Sequence, residues 1–297
     1  MHAPIRAIVA GIATVDDGGD PILDDVLALA LRTGADLHLV HAFTVSAEAL
    51  EVYTRMGYHD PDCVGIYEEG LQAKLESEVR ARTQRDRIFC HALHMAPALA
   101  LAEAAATLDA GLIVIGAARP SALAAPFVRT TATRLFRIAR VPVLVLDRIW
   151  PEGAPVVAAT DLSDLAPRAF ERGVPLARAL SGRGAPVRAL HVSGEADAGA
   201  RLAAFIAEHA PAALPVTAVV QGGDPAREIV AACDGAGLLV LGTHGRRGLE
   251  RLVPGSVAEA VLRTASCSVL VVPPMVLAAT PPPPPIPVRG LRPAPPP

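Results

Sequence analysis

Short apolar runs alternate with longer amphipathic stretches along most of the chain. Ile5 to Ile12 is apolar and β-branched enough to be a buried parallel strand. After a turn-rich stretch, Thr14 to Pro21, apolar residues recur at 22, 23, 26, 27 and 29 to 31. This predicts a helix over Ile22 to Arg32 with a glycine stop at Gly34. The pattern continues with a strand at Asp36 to Phe43, a charged amphipathic helix at Glu69 to Arg82 and a strand at Ile88 to Leu93. Pro97 opens a helix that runs through Leu108, followed by a strand at Gly111 to Gly116, a helix at Thr130 to Ala139 and a fifth strand at Val143 to Leu146. Thr44 to Glu68 has no clear period and reads as a loop with one helical turn.

The pattern then restarts. Residues 149–155 read as a linker, after which strands fall at Val156 to Ala159, Pro186 to Val192, Val216 to Val220, Leu238 to Leu241 and Val269 to Val272. Helices fall between them at Leu165 to Leu180, where Pro175 is expected to introduce a kink, and at Ala198 to His209, Pro225 to Cys233 and Val257 to Ala265. The restart is a duplication. GLIVIG at 111–116 overlays GLLVLG at 237–242, and VPVLVL at 141–146 overlays CSVLVV at 267–272, both at an offset of 126. Strands alternating with helices give parallel sheets covered on both faces and wound through right-handed crossovers. The expected fold is therefore α/β, two tandem doubly wound five-stranded parallel sheets of Rossmann-like type. The domains are 1–148 and 156–273, and a proline-rich tail at 274–297 is expected to be disordered.

Composition narrows the function. The chain has 297 residues, enough for two cores of about 130 to 150 residues each. A net charge of -3 and 3% aromatics argue against nucleic acid, since there is neither a basic footprint nor a supply of rings for base stacking. No apolar run reaches the roughly 18 residues of a membrane span, and the N-terminal stretch has no signal-peptide pattern, so a soluble cytoplasmic protein is expected. Cys63, Cys90, Cys233 and Cys267 lie far apart, without a C-x-x-C pair, and read as reduced thiols. Lys74 is the only lysine, which leaves no placed candidate for a phosphate-binding or Schiff-base role.

The stretch from Leu238 to Val272 carries the clearest chemistry. Gly242, Gly245, Gly255 and Ser256 follow the spacing G-x2-G-x9-G-S, between a strand and an amphipathic helix. Glycines let a backbone approach an anion closely, and a helix N-terminus offers it unpaired N–H groups and a favourable dipole. Ser256 also fits a capping box with Glu259, so a structural role for its hydroxyl stays open. Gly242 alone also fits a strand-end turn. Asp161 is either a ligand carboxylate or a turn and cap residue, for which Ser163 and Asp164 compete.

On these residues the second half resembles a universal stress protein domain of the nucleotide-binding type, and residues 1 to about 272 resemble a tandem member of that family. The resemblance implies ATP binding without a Walker P-loop, and no G-x4-G-K-[ST] occurs. It implies that Gly242, Gly245, Gly255 and Ser256, with Leu241 and Val257 beside them, hold the phosphates. It also implies that Asp161 contacts the nucleoside and that Val192 lies in the adenine pocket, with Ala159 and Thr160 lining it. His244 and the pair Arg246 and Arg247 either face the phosphates or are solvated. Mg2+ accompanies ATP in this reading, with the Ser256 hydroxyl as its one named ligand.

The first half departs from the motif. At the same offset Gly116 is retained, but Arg119, Arg129 and Thr130 replace Gly245, Gly255 and Ser256, and Ala13 stands where Asp161 does. The first domain is therefore expected not to bind nucleotide but to pair with the second through their terminal strands, a pseudo-dimer that leaves room for a further homodimer. No G-x-S-x-G elbow, H-E-x-x-H or Cys/His ligand set points to an enzyme. The expected function is a stress or regulatory protein that binds ATP with little or no turnover. The alternatives are an interaction scaffold with a vestigial site, or a slow ATPase.

Overall fold

The computed structural model describes residues 5–15, 20–45, 51, 55, 62–117, 125–182, 184–242, 255–273 and 291, with the backbone alone at 62–63 and 125–130. The chain packs as two compact units that divide between Val114 and Ile115.

In the first unit β1 (Ala7–Gly11), β2 (Asp36–Phe43), β3 (Ile88–His94) and β4 (Leu112–Gly116) form a parallel sheet in the order β3-β2-β1-β4. The β-branched runs of the sequence become its centre, with Ile8, Val9, Leu37, Leu39, Leu112 and Ile113 fully buried. The helix α1 (Leu23–Thr33) buries Leu23, Val26, Leu29 and Ala30. It stops at Gly34, which sits at φ +72 and donates its N–H to the Ala30 carbonyl, a left-handed conformation suited to glycine. Helix α2 (Asp62–Arg82) packs on β3, and α3 (Pro97–Thr107) on β1 and β2. Helix α2 starts ahead of the predicted Glu69. Gly65 and Gly70 interrupt the apolar period there, and Ile66 and Tyr67 stay exposed, so no stripe marks that first part in the sequence.

Within this sheet His38 and His91 are buried side by side, with His38 Nδ1 and His91 Nε2 3.1 Å apart. His38 also stacks on Phe89. Loss of hydration holds the His38 pKa below the ordinary imidazole value, against a smaller opposing pull from Asp36. Asp36 is itself kept below the usual carboxylate range by its hydrogen bonds to Arg87, whose Nη2 lies 2.7 Å from Oδ2. The unfolded chain therefore takes up a proton at His38 near pH 6.5 that the folded chain resists. Stability from this residue is complete above about pH 6.5 and is lost as pH falls toward the lower folded value. Melting temperature is expected to drop between pH 7.5 and 5.5, and the slope should flatten in His38→Phe. An equal slope in both proteins would contradict this assignment.

The second unit begins with α4 (Ala125–Ile138) and β5 (Val143–Leu146). Its further strands are β6 (Val156–Ala159), β7 (Val187–Val192), β8 (Val216–Gln221), β9 (Leu238–Gly242) and β10 (Ser268–Val272). The order is β5-β10-β9-β6-β7-β8, parallel throughout except where β5 meets β10. There the two strands pair antiparallel, with Val145 opposite Val269 and Val143 opposite Val271. Two apolar strands that would each have ended a sheet thus satisfy one another's backbone groups.

Helix α5 (Ala166–Ser181) lies on β6, β9 and β10, α6 (Ala198–His209) on β7 and β8, and α7 (Pro225–Ala232) on β7 and against α8 (Ser256–Thr264). Pro175 lies inside α5. The closeness of α5 to the sheet depends on Gly173, where a Cβ would lie 2.5 Å from Val240 Cγ1 and 3.0 Å from Val272 Cγ2. The stretch 149–155 is anchored. Trp150 is buried and its indole N–H donates to Ser181 Oγ at 3.0 Å, while Ser268 Oγ accepts from the Asp147 N–H and donates to the Arg148 carbonyl.

The fold is α/β, with Rossmann-like doubly wound parallel sheets. Among the described residues no helix is long and apolar enough to cross a membrane.

Candidate functional site

The parallel strands β9, β6 and β7 are neighbours, so their carboxyl ends share one edge of the sheet. From β6 the chain runs outward to β7 and β8 on one side, then returns to β9 and β10 on the other. Strand order reverses between β6 and β9, the position where open α/β sheets leave a crevice for ligands. Ala159 ends β6, with Thr160 and Asp161 just beyond it. Val192 ends β7, and Leu241 and Gly242 end β9. The predicted residues from three separate strands therefore meet at one place.

Each is held by local chemistry. Thr160 donates its N–H to the Leu190 carbonyl at 2.9 Å, and its Oγ1 accepts from the Leu162 N–H at 3.2 Å. Leu162 lies at φ +57, a left-handed conformation uncommon outside glycine. Asp161 Oδ1 accepts from the Ser163 N–H at 3.1 Å, an Asx turn that sets the carboxylate at the rim. Leu165, not Asp161 or Asp164, occupies the position before α5, and no side chain caps that helix. Gly242 has a packing reason of its own, because a Cβ there would come within 3.3 Å of the Ala169 Cβ on α5.

Helix α8 carries the last residues of the glycine-serine motif. Gly255 is its N-cap, at φ -58 and ψ 154, and as a glycine offers no side-chain cap to the first turn. The capping box does not form, because the helix begins at Ser256 and the Glu259 N–H bonds to the Gly255 carbonyl at 3.0 Å instead. Ser256 is exposed and Val257 partly buried at this uncapped end. His244, Gly245, Arg246 and Arg247 lie outside the described residues, as do Arg119, the side chains of Arg129 and Thr130, and all of the proline-rich tail except Leu291.

Sequence reasoning passed over three further groups at this rim. Ser163 Oγ, His191 Nε2 and Gln221 Oε1 are buried polar atoms without a hydrogen-bond partner among the described residues. His191 places Nδ1 2.9 Å from the Thr160 carbonyl, which can only accept, so Nδ1 carries a proton. Burying such groups unsatisfied costs about 1 to 3 kcal/mol each, so these strand ends are a candidate place for a polar partner. The signal was in the duplication. His41 makes the same bond to the Ile12 carbonyl at 2.9 Å, so the histidine recurs at the end of the second strand of each repeat.

The first repeat closes the corresponding place. Ala13 follows β1 as Asp161 follows β6, but a different carboxylate turns inward. Asp20, 8% exposed, accepts from the N–H groups of Ala13 at 2.7 Å, Thr14 at 3.2 Å and Ile22 at 3.0 Å. Three backbone donors beside the end of β1 are thereby taken up by the protein itself. Helix α4 also starts at Ala125, so position 129, the counterpart of Gly255, lies inside the helix and presents no free helix end. Among the described residues no group of three or more His, Cys, Asp or Glu side chains could hold a metal ion.

Comparison with known proteins agrees with this duplicated architecture. The model of the universal stress protein family matches residues 5–147 and again 154–273. A universal stress protein of Mycobacterium tuberculosis is 32% identical over 184 residues, a match that spans 55% of this chain and 62% of that relative's length. One from Methanocaldococcus jannaschii is 54% identical over 52 residues, 17% of this chain and 31% of that protein. The crystal structure of a universal stress protein from Archaeoglobus fulgidus shares the fold at a TM-score of 0.62 and 17% identity, covering 89% of this chain and 96% of that one. The chain belongs to the universal stress protein family and carries its domain twice in tandem.

Proposed function

We propose that the second repeat binds one adenine nucleotide, ATP with Mg2+, and holds it with little or no turnover, while the first repeat binds none. The observation that carries this reading is a helix N-terminus without a side-chain cap beside three polar atoms unpaired among the described residues, spread along the carboxyl ends of β6, β7 and β8 next to the point where strand order reverses. A triphosphate matches the helix end in charge, since an anion takes up its free N–H groups and favours its dipole. In this reading Gly242, Gly245, Gly255, Ser256 and Val257 offer backbone and hydroxyl donors to the phosphates, with His244 beside them. Asp161 accepts from the ribose or the adenine amine, and Ala159, Thr160, Val192 and Leu241 form the walls of the base pocket. ATP would supply the phosphate charge, and Mg2+ would offset part of it. The protein is then a cytoplasmic nucleotide-responsive regulator in which the repeats pair through β5 and β10, and the free buried thiols of Cys90, Cys233 and Cys267 suit that compartment.

Thermal unfolding tests the nucleoside end of the site. A ligand at a hundred times its Kd adds about 2.7 kcal/mol to stability, so saturating ATP should raise the melting temperature by several degrees. Asp161→Ala should remove more than half of that rise while leaving the ligand-free melting temperature within about 2 °C. An unchanged rise in the variant would remove Asp161 from the site.

A further inference from the structure

Leu291, the one described residue of the proline-rich tail, is partly buried and belongs to the compact unit of residues 5–114, not to the repeat that precedes the tail in sequence. It is flanked by Arg289 and Arg292 and by the runs TPPPPPIP at 280–287 and PAPPP at 293–297. Such runs favour the polyproline II conformation, which has no internal hydrogen bonds and loses little entropy when it lies along aromatic rings.

The first repeat offers such rings. Phe43, at the end of β2, stacks on His94 at a centroid distance of 5.4 Å and meets Tyr67 of α2 edge-on at 5.1 Å. His94 is fixed from two sides. Its Nε2 accepts from the Val45 N–H at 3.2 Å, and its backbone N–H donates to Glu68 Oε1 at 3.0 Å. Tyr67 is 50% exposed and Ile66 beside it 65%, so apolar surface at this place faces outward. Glu69 lies three residues from Ile66 on the same side of α2, and with Glu68 it borders the rings with negative charge.

We propose that Phe43, Ile66, Tyr67 and His94 form a polyproline-recognition surface whose occupant is this chain's own tail, residues 280–297. The prolines lie against the rings, Leu291 covers the apolar surface at Ile66, and Arg289 and Arg292 face Glu68 and Glu69. A second apolar recess of the same unit is a poorer match. It lies between α1 and α2, lined by Leu27, Leu31 and Ile88, and carries Arg82 and Arg85. Arg82 already holds Asp24 there at 3.1 Å, so the recess meets the tail with charge of the tail's own sign. Tethering keeps the tail near its surface at an effective concentration of about a millimolar, enough for a contact that would be weak between separate molecules. A proline-rich segment of any other protein would have to displace it.

Trypsin reads the docking in the full chain. It cuts after Arg289, whereas the bond after Arg292 precedes Pro293 and resists. Cleavage of a docked tail follows its undocked fraction, so a docked-to-free ratio of about ten slows the cut about tenfold. Release of the 290–297 peptide, followed by mass spectrometry, is therefore expected to be about tenfold faster in the double variant Ile66→Ser, Tyr67→Ser than in the unaltered chain. Glu69→Gln removes one exposed charge pair and should speed release about threefold. All three positions are exposed, so the melting temperature should stay within about 2 °C. Leu31→Ser, in the other recess, should leave the rate unchanged. Equal release from the unaltered chain and the double variant, or faster release in Leu31→Ser instead, would overturn the proposal. Protection that persists on dilution places the tail on its own chain. Protection lost on dilution would make a second copy the occupant and overturn the assignment to the chain's own surface.

Discussion

Gly173→Val is expected to destabilise the protein by about 3 kcal/mol. Glycine in the middle of a helix ordinarily costs about 1 kcal/mol relative to alanine, so its place in α5 needs a compensating gain. That gain is contact. The missing Cβ lets α5 settle on β9 and β10, where an added carbon would lie 2.5 Å from Val240 Cγ1 and 3.0 Å from Val272 Cγ2. Val240 and Val272 are central in the sheet and nearly inaccessible, so neither can swing away cheaply. Gly173→Ala should also destabilise, by about 1 to 2 kcal/mol, because the clash outweighs the better helix propensity. Denaturant unfolding of both variants decides the matter. A more stable Gly173→Ala protein would show that α5 is free to shift and that the close approach is not required.

Gly255→Asp should separate folding from binding. Gly255 is the exposed N-cap of α8, in a backbone conformation that any residue adopts, and its helix has no side-chain cap. Aspartate is among the best N-caps and its charge suits the helix dipole, so the ligand-free protein should be unchanged or gain up to about 1 kcal/mol. The same carboxylate would take up the first-turn N–H groups offered to the phosphates and repel what remains of their charge. ATP affinity is expected to fall by about a hundredfold, read by titration beside the melting temperature of the ligand-free variant. Lost stability with retained affinity would mean that this end of α8 serves the fold and not a ligand.

The sequence was most legible where one local rule decided the outcome. Strands β2, β5 and β6 and helix α6 run between the predicted residues end to end, because a β-branched run or an apolar stripe bounded by turn residues leaves little choice. Gly34 stops α1 as its position implied. The candidate site rests on spacing, since Gly242 and Gly255 to Val257 lie in one motif, and the duplication marks the repeat in which that motif changes. What escaped depended on contacts between distant residues. Asp20 turning back onto Ala13 and Thr14 and the register of β5 against β10 leave no local pattern in the chain. Ser256 and Glu259 had the spacing of a capping box, but the helix starts one residue early for it, at Ser256 itself. His191 and His41 escaped for another reason. A histidine at a strand end carries no signal until both repeats are superposed and the bond to the neighbouring strand's carbonyl is seen in each.

The contrast between the repeats concentrates the functional proposal on stoichiometry. The second repeat has a helix start at Ser256 and an edge of polar atoms unpaired among the described residues, whereas in the first Asp20 takes up backbone donors and α4 continues through the equivalent position. Isothermal titration of the reduced full-length chain with Mg2+ and ATP, carried to millimolar nucleotide, measures this directly. One ATP per chain, abolished by Gly255→Asp, is the predicted result. No binding heat from folded protein, or two equivalent sites per chain, would contradict it.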